Sequence, residues 1–363
     1  MISGIAHDMA ADAPRSTGSG SRPHGSDHAA LVALGGLAAA VAATAWWRAA
    51  HAYQLRGRTV LITGGVRGLG LLLAREFGRR GARLAIVSRT PSEIGRAEDQ
   101  LRASGLDVIA ECCDVRDPRA VADLVRLVVG RTGRLDVVVN NAGVIQAAPF
   151  EHAQLEDFQE SLDTHFWGPL YLTREALPFL RRAPGGARLL NISSFGGRVG
   201  VPHLAAYSAG KFALVGLSET LRAELHKDGV LVTTATPGLM RTGSHGKILV
   251  RGQHEKEALW FGAGVATPLT SMSGTRAARE LVDACVAGRA HATPGLQFRL
   301  AEIAETLVPQ LAAGVKAIIA GRLLPGPSDR ATGEVRRATS EVGFGWLTPL
   351  LPNAAARANN EIR

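Results

Sequence analysis

The stretch from Thr59 to Arg80 constrains the fold of this chain more than any other. It opens on Thr59–Thr63, a β-branched and apolar run typical of a buried strand. A glycine-rich turn follows, and the pattern from Leu71 onward is helical. This order predicts an anion site, because backbone N–H groups and the helix dipole meet at the turn. The predicted phosphate contacts are Gly64, Arg67, Gly68, Leu69 and Gly70.

The next strand, Arg83 to Val87, completes a βαβ unit. The residues at the end of this strand indicate which dinucleotide the unit would bind. A carboxylate at the tip of this strand would bind the ribose 2′-OH of NAD, whereas an arginine accommodates the 2′-phosphate of NADP. The tip here is Ser88-Arg89, and Arg67 lies in the glycine turn. We therefore favour NADP(H) over NAD, although either arginine can also be read as a solvated surface residue.

Strand-like and helix-like runs continue to alternate along the chain. This alternation predicts a doubly wound, mostly parallel sheet, with ligands beyond the carboxyl ends of its strands. Asp114-Val115 follows the strand-like run Leu106–Cys112, and we assign it to the adenine. The other predicted segments are strands at Leu135–Val139, Ala187–Ile192 and Val230–Ala235, and a long helix at Leu155–Leu180.

Tyr207 and Lys211 are one helical turn apart on a pattern that begins near Ala205. Side chains at positions i and i+4 share a helix face, so both can point into one pocket. A lysine charge beside a phenol favours the phenolate, which predicts a lowered Tyr207 pKa and a general acid/base usable at neutral pH. Taken alone, such a pair is more often a solvated surface pair.

Five motifs in order resemble those of the short-chain dehydrogenase/reductase family, from about Arg56 to Arg289. They are Thr63-Gly64-Gly65-Val66-Arg67-Gly68-Leu69-Gly70, Asn140-Asn141-Ala142-Gly143, Ser194, Tyr207-Ser-Ala-Gly-Lys211 and Pro237-Gly238. The resemblance implies a Rossmann fold in a single catalytic domain and adds cofactor contacts at Thr63, Asn141, Ala142, Gly143, Pro237 and Gly238.

The resemblance also implies roles for the catalytic residues. Tyr207 would exchange a proton with the substrate oxygen, and Lys211 would lower the Tyr207 pKa and hydrogen-bond the nicotinamide ribose. Ser194 would polarise the carbonyl, and we prefer it to Ser193 for its distance from the tyrosine in the sequence. The family usually has an asparagine where this chain has His165. That histidine is expected either to maintain the proton relay to lysine or to pack at a helix kink.

The flanking segments suggest an anchored enzyme. Residues 1–28 have the composition of a disordered tail, and Ala29–Trp47 carries no charge over nineteen residues. We favour a membrane anchor at 29–48, with Arg48, Arg56 and Arg58 on the cytoplasmic side, over a signal peptide or a buried helix. The catalytic domain, residues 55–300, would then face the cytoplasm.

Two regions follow Gly238. Residues 239–276 form a long substrate loop in which Trp260 and Phe261 either close over an apolar substrate or anchor the loop to the core, and Thr242 is assigned to the cofactor. Residues 301–363 form a C-terminal extension whose helical pattern, interrupted by Pro309, suits a dimer helix, a lid or a membrane contact.

Composition narrows the function classes. The net charge is +9, but no run of like charges or nucleic-acid motif accompanies it, so we expect no nucleic-acid partner. Three cysteines make no disulfide framework, and no metal-ligand spacing occurs. Two hypotheses remain. The first is an NADP(H)-dependent oxidoreductase that acts on a hydroxyl or carbonyl of a lipid-, retinoid- or steroid-like molecule, with a homo-oligomer as a possible assembly. The second is a membrane-tethered dinucleotide sensor without turnover.

Overall fold

The structure is a computed structural model that describes residues 53–327 and the pair 336–337. Its strands are β1 (Thr59–Thr63), β2 (Arg83–Ser88), β3 (Val108–Cys112), β4 (Val137–Asn140), β5 (Gln146–Ala147), β6 (Ala187–Ile192), β7 (Val230–Ala235), β8 (Leu239–Arg241), β9 (Leu249–Val250), β10 (Ser271–Ser273), β11 (His291–Ala292) and β12 (Arg336–Arg337). Its α-helices are α1 (Gly68–Arg79), α2 (Pro91–Ala103), α3 (Pro118–Thr132), α4 (Leu155–Leu162), α5 (Gly168–Leu180), α6 (Ala205–Leu225), α7 (His254–Ala266), α8 (Gly274–Val286), α9 (Leu296–Leu307) and α10 (Pro309–Arg322).

The central sheet has the order β11-β7-β6-β4-β1-β2-β3, and each neighbouring pair is parallel. The predicted doubly wound α/β fold is therefore confirmed, and β1, β6 and β7 have the predicted bounds. Strand order reverses between β1 and β4, which leaves a crevice at their carboxyl ends. The glycine turn and the Asn140–Gly143 segment both lie at this crevice.

Strand β1 shows why the sheet is buried on both faces. Val60 and Ile62 pack into one hydrophobic cluster, while Leu61 between them packs into the cluster on the other face. All three side chains are fully buried. Alternate side chains of a strand point to opposite faces, so a continuous apolar run needs helices on both sides. Burying each of these side chains contributes about 1.5–3 kcal/mol.

The predicted helix Leu155–Leu180 is broken into two helices by a π-helical segment at Asp163–Trp167. Such segments insert an extra residue into the helical turn and change the direction of the side chains within it. Here the π segment carries Thr164 and His165, both buried. His165 therefore lies at the break between the two helices, with its side chain in the protein interior.

At the amino ends of the strands, a buried carboxylate accepts hydrogen bonds from three residues and joins two segments of the chain. Asp136 is fully buried and accepts hydrogen bonds from the Thr59 backbone N–H at 2.9 Å, from Arg58 at 3.0 Å and from Arg134 at 2.6 Å. The Arg58 guanidinium also lies 3.9 Å from the centroid of the Tyr53 ring. Arg58, predicted to be a charge that flanks a membrane anchor, is thus part of the sheet's ionic network.

The C-terminal helical pattern is a pair of helices, α9 and α10, that meet at Pro309 with a bend of 118°. Within the described residues, no single helix is long and apolar enough to cross a membrane. The two helices of this bent pair reach the required length and apolar composition only when they are counted together. Its outer face exposes large apolar side chains, among them Leu300, Leu307 and Leu311. The predicted anchor at 29–48 lies outside the described residues.

Candidate active site

The glycine turn is held against the end of β4 by a set of short hydrogen bonds. Thr63 Oγ1 accepts from the backbone N–H groups of Asn141 at 2.9 Å and Ala142 at 3.0 Å. Asn141 Nδ2 donates to the carbonyl oxygens of Thr63 at 2.9 Å and Gly64 at 3.2 Å. A Cβ at Gly70 would lie 2.1 Å from the Gly64 oxygen, so only glycine allows this approach. Thr63 and Asn141 thus fix the shape of the turn.

The first turn of α1 has the properties of an anion site. Its N-cap is Arg67, whose side chain makes no capping hydrogen bond, and the first turn contains no acidic residue. A helix N-terminus without a side-chain cap presents N–H donors to whatever lies in front of it. Gly68, Leu69 and Gly70 line a cavity at this point, so the donors face a space where a diphosphate could bind.

Basic residues line this cavity near the glycine turn. Arg67 and Arg89 both line it, as do Asp114 and Val115. Arg67 Nε lies 3.5 Å from Glu93, and Arg89 Nη1 lies 3.5 Å from Glu160. Arg116 donates to the Asp114 carboxylate, which holds the pKa of that carboxyl below its usual value. The two arginines on which the NADP(H) prediction rests therefore line the same cavity as the predicted adenine contacts.

The two serines after β6 have different partners. Ser193 Oγ is buried and donates to the backbone oxygen of Lys211 at 2.9 Å. Ser194 Oγ accepts from the Gly196 N–H at 3.1 Å. Ser194 lines the cavity together with Tyr207 and Lys211, so a carbonyl oxygen bound there would meet both hydroxyl groups.

The Tyr207 pKa differs from the expectation based on sequence. The lysine charge was expected to lower it, but burial raises the pKa of Tyr207 to about 12, opposed by the hydrogen bond from Ser194. Burial lowers the pKa of Lys211 to about 7, and its Nζ donates to the Ile192 oxygen at 2.9 Å. That nitrogen lies 5.8 Å from the centroid of the Tyr207 ring. Desolvation by burial is the main cause of this rise, so the expected lowering of the Tyr207 pKa by Lys211 is not found among the protein's own groups.

His165 is completely buried, and both of its ring nitrogens are engaged. Nε2 accepts from the Val144 N–H at 3.2 Å, so Nδ1 carries the proton and donates to Ser161 Oγ at 3.1 Å. Burial, with the nearby Lys211 charge, lowers the pKa of His165 well below its ordinary value. The ring meets Tyr207 edge to face at 5.4 Å between centroids. His165 is therefore a neutral ring held between Val144, Ser161 and Tyr207.

Beyond Tyr207 the cavity, of about 710 Å³, becomes apolar. Phe261 lines it and also belongs to a buried cluster, while Trp260 lines it and donates from Nε1 to Glu257 at 2.6 Å. The structure supports the anchoring role, because each side chain packs on the protein, and it places both in the cavity wall. The remaining apolar lining comes from Ile145, Val201, Leu204, Leu249, Leu269 and Phe298.

The structure brings nearly all predicted site residues to this one cavity. Gly143, Pro237, Gly238 and Thr242 line it along with the glycine turn and the triad, whereas Thr63 lies behind the turn. Sequence reasoning missed Ser161, Val144, Glu93, Lys247 and Phe298. Ser161 stands four residues before His165, a spacing that a search for its partner could have found. Val144 directly follows the predicted Asn140–Gly143 motif and Glu93 comes four residues after Arg89, whereas Lys247 and Phe298 come from segments without a recognisable local signal.

The Lys211 pKa predicts how stability depends on pH. Since the pKa is about 7 when folded and 10.5 in an ordinary environment, the unfolded chain binds more protons between these values. Stability from this group therefore rises with pH from 7 toward 10, by at most about 1.4 kcal/mol per unit. We expect urea unfolding at pH 7.0 and 8.5 to show a larger rise for the wild-type chain than for Lys211→Met. Equal rises in both proteins would contradict the lowered pKa.

The fold and site define a class of doubly wound α/β proteins with a glycine-rich nucleotide turn and a Ser, Tyr and Lys set beside it. A family model described as short chain dehydrogenase matches residues 58–250. The chain belongs to the short-chain dehydrogenase family.

Relatives and solved structures agree with this assignment. The "11-beta-hydroxysteroid dehydrogenase-like 4A" of Arabidopsis thaliana is 38% identical over 193 residues, which are 53% of this chain and 64% of the relative, so the match spans slightly less than two thirds of that protein. The "11-beta-hydroxysteroid dehydrogenase A" of Sesamum indicum is 31% identical over 251 residues, 68% of this chain and 71% of the relative. The structure of a variant of actinorhodin polyketide ketoreductase with NADPH has a TM-score of 0.58 and 27% identity, covering 65% of this chain and 95% of that chain.

Proposed function

We propose that this protein is an NADP(H)-dependent oxidoreductase that interconverts a hydroxyl and a carbonyl on an apolar, steroid-like molecule. One observation carries the proposal. Ser194, Tyr207 and Lys211 line one cavity together with Arg67 and Arg89 and with apolar side chains such as Phe261 and Phe298. The names of the plant relatives and the NADPH in the ketoreductase structure support the same chemistry.

The residues present fit a dinucleotide. The uncapped first turn of α1 would bind the diphosphate, and the close contact between Gly70 and the Gly64 oxygen keeps side chains out of that space. Arg67 and Arg89 would bind the 2′-phosphate, and Pro237 and Gly238, which line the same cavity, would contact the nicotinamide half. When bound, this cofactor supplies the hydride to the carbonyl carbon or accepts it from the carbinol carbon.

The protein's own groups handle the proton. With a pKa of about 12, Tyr207 is protonated at neutral pH and can donate its proton to the carbonyl oxygen as the hydride arrives at the carbon. Ser194 donates a hydrogen bond to the same oxygen and stabilises its developing negative charge. In the reverse direction the hydroxyl proton is taken by the phenolate form of Tyr207, which is a minor species at neutral pH because of its raised pKa. Lys211, hydrogen-bonded to the Ile192 oxygen, lies close enough to stabilise a negative phenolate during the exchange.

The apolar lining supports an apolar substrate. Trp260, Phe261 and Phe298 bring aromatic surface to the cavity, and Leu269 is largely exposed at its edge. Ligand pockets of this kind are mostly apolar, with a few polar groups that fix the orientation of the ligand. Here Ser194 and Tyr207 would be those groups, so the reacting oxygen would be directed at them while the carbon skeleton packs on the aromatic walls.

The cofactor assignment is tested by replacing the two arginines. We expect Arg67→Ala/Arg89→Ala to weaken NADPH binding by about 100-fold and NADH binding by less than about threefold, because only NADPH loses charge-assisted hydrogen bonds. Nicotinamide fluorescence titration measures both constants. Arg96→Ala, an exposed arginine on α2, is the matched control and should change neither.

Turnover is measured as NADPH oxidation with a panel of steroid ketones and small polar ketones. Activity on the steroid ketones is the expected result, with much less on the polar ones. Tight NADPH binding with neither reduction of any ketone nor oxidation of any steroid alcohol would instead support a dinucleotide sensor. Equal binding of NADH and NADPH would contradict the cofactor assignment.

A further inference from the structure

A lysine from the long loop after β7 lies at the nucleotide end of the cavity. Lys247 ends a short 3-10 turn, and its successor Ile248 is 1% exposed. The next residue, Leu249, donates from its backbone N–H to the Ile145 oxygen at 2.9 Å. The buried Ile248 and this hydrogen bond fix where the Lys247 side chain begins. Lys247 itself lines the cavity and is partly exposed.

Lys247 reaches across the cleft to a carboxylate that also faces the glycine turn. Its Nζ lies 3.7 Å from Glu93 Oε1, and Arg67 Nε lies 3.5 Å from Glu93 Oε2. Glu93 stands in the first turn of α2, shortly after the Ser88-Arg89 tip. Its side chain is 12% exposed. One largely buried carboxylate therefore connects a cation of the glycine turn with a cation of the loop.

Glu93 lies near both cations, but at distances longer than those of a short charge-assisted hydrogen bond. Charge-assisted hydrogen bonds are about 2.7–2.9 Å long, and both separations here are longer. A lysine ammonium has three donors and a flexible stem, so it can turn to a second anion nearby.

The charges along this part of the cavity do not cancel. Arg67, Arg89 and Lys247 line it and carry three positive charges, while Glu93 lies near Arg67 and Lys247 and Glu160 lies 3.5 Å from Arg89, which leaves an excess of one positive charge. A second carboxylate of the lining, Asp114, is already paired with an arginine outside the lining. The cluster thus has an excess of positive charge suited to a dianionic phosphate.

We propose that Lys247 is a third cation for the 2′-phosphate of NADPH, so that NADPH, unlike NADH, ties the loop over the nucleotide cleft. This inference rests on the proposed NADP(H) preference. It assigns to the loop a role in cofactor selection as well as in covering the substrate. With the phosphate bound, Lys247 would hold the loop between β8 and α7 more firmly against the cleft.

The test is cofactor binding by the full chain. We expect Lys247→Met to weaken NADPH binding about tenfold and to leave NADH binding within about twofold, because only NADPH carries the phosphate. Lys247→Arg, which keeps the charge, should stay within about threefold of the wild-type value. Lys256→Met removes an exposed lysine from the neighbouring helix α7 and is the matched control.

A second measurement follows the loop itself. Hydrogen exchange of the amides in residues 243–252 should slow more with NADPH than with NADH in the wild-type protein, and equally with both in Lys247→Met. If Lys247→Met keeps the full preference of the wild-type protein for NADPH, or weakens the binding of NADPH and NADH equally, the proposed role of Lys247 is contradicted. The proposed NADP(H) preference would not be affected by that result. If the wild-type protein shows no preference for NADPH, the proposed cofactor fails and this inference fails with it.

Discussion

Tyr207→Phe is expected to lower kcat for reduction of an apolar ketone by about 10³-fold, within the range that a positioned general acid contributes. The phenylalanine keeps the ring packed against His165 but removes the hydroxyl placed to give a proton to the carbonyl oxygen beside Ser194. NADPH affinity should change by less than about twofold, because the hydroxyl is not needed to bind the diphosphate or the 2′-phosphate.

Stopped-flow measurement of NADPH oxidation separates the chemical step from binding. Tyr171→Phe is the matched control, because that tyrosine stacks on Trp167 with ring centroids 5.9 Å apart and does not line the cavity. It should retain full activity. A Tyr207→Phe protein with more than about a tenth of the wild-type kcat would remove the tyrosine from the mechanism and favour another proton donor.

His165→Ala is expected to lower kcat by about 100-fold and the free energy of unfolding by about 2–4 kcal/mol. The substitution leaves the Val144 N–H without its acceptor and removes the ring that contacts the edge of Tyr207. Because His165 is neutral and both nitrogens are engaged, we expect it to position Tyr207 and the chain after Gly143 instead of passing protons. The pH dependence of kcat should therefore keep its shape.

Two measurements distinguish positioning from a proton relay. Ser161→Ala removes only the partner of Nδ1, so it should lower kcat by less than about tenfold and leave the Val144 contact in place. Chemical denaturation reports the loss of stability in both variants. A His165→Ala protein of normal stability whose pH–rate profile moves by more than about one unit would show that the ring takes part in proton transfer.

The sequence predicted much of the sheet because its signals are local. The apolar side chains of a β-branched run such as Thr59–Thr63 are removed from water only when both faces of the strand are covered. The glycines after it allow the tight turn that leads into the next helix. The helix spacing likewise placed Tyr207 and Lys211 on one face. The break at Asp163–Trp167 was missed, because an inserted residue in a helix leaves the apolar periodicity on either side nearly intact.

The sequence by itself determined the alternation of strands and helices along the chain, the glycine turn and the identity of the candidate catalytic residues. Each of these features depends on neighbours within a few positions. Only the tertiary structure decided the electrostatics of the site. Desolvation by the packed core raises the pKa of Tyr207 and lowers that of Lys211, against the expectation from their charges alone. It also decided the partners of His165 and Lys247, because their contacts at Val144 and Glu93 join segments that lie far apart in the sequence.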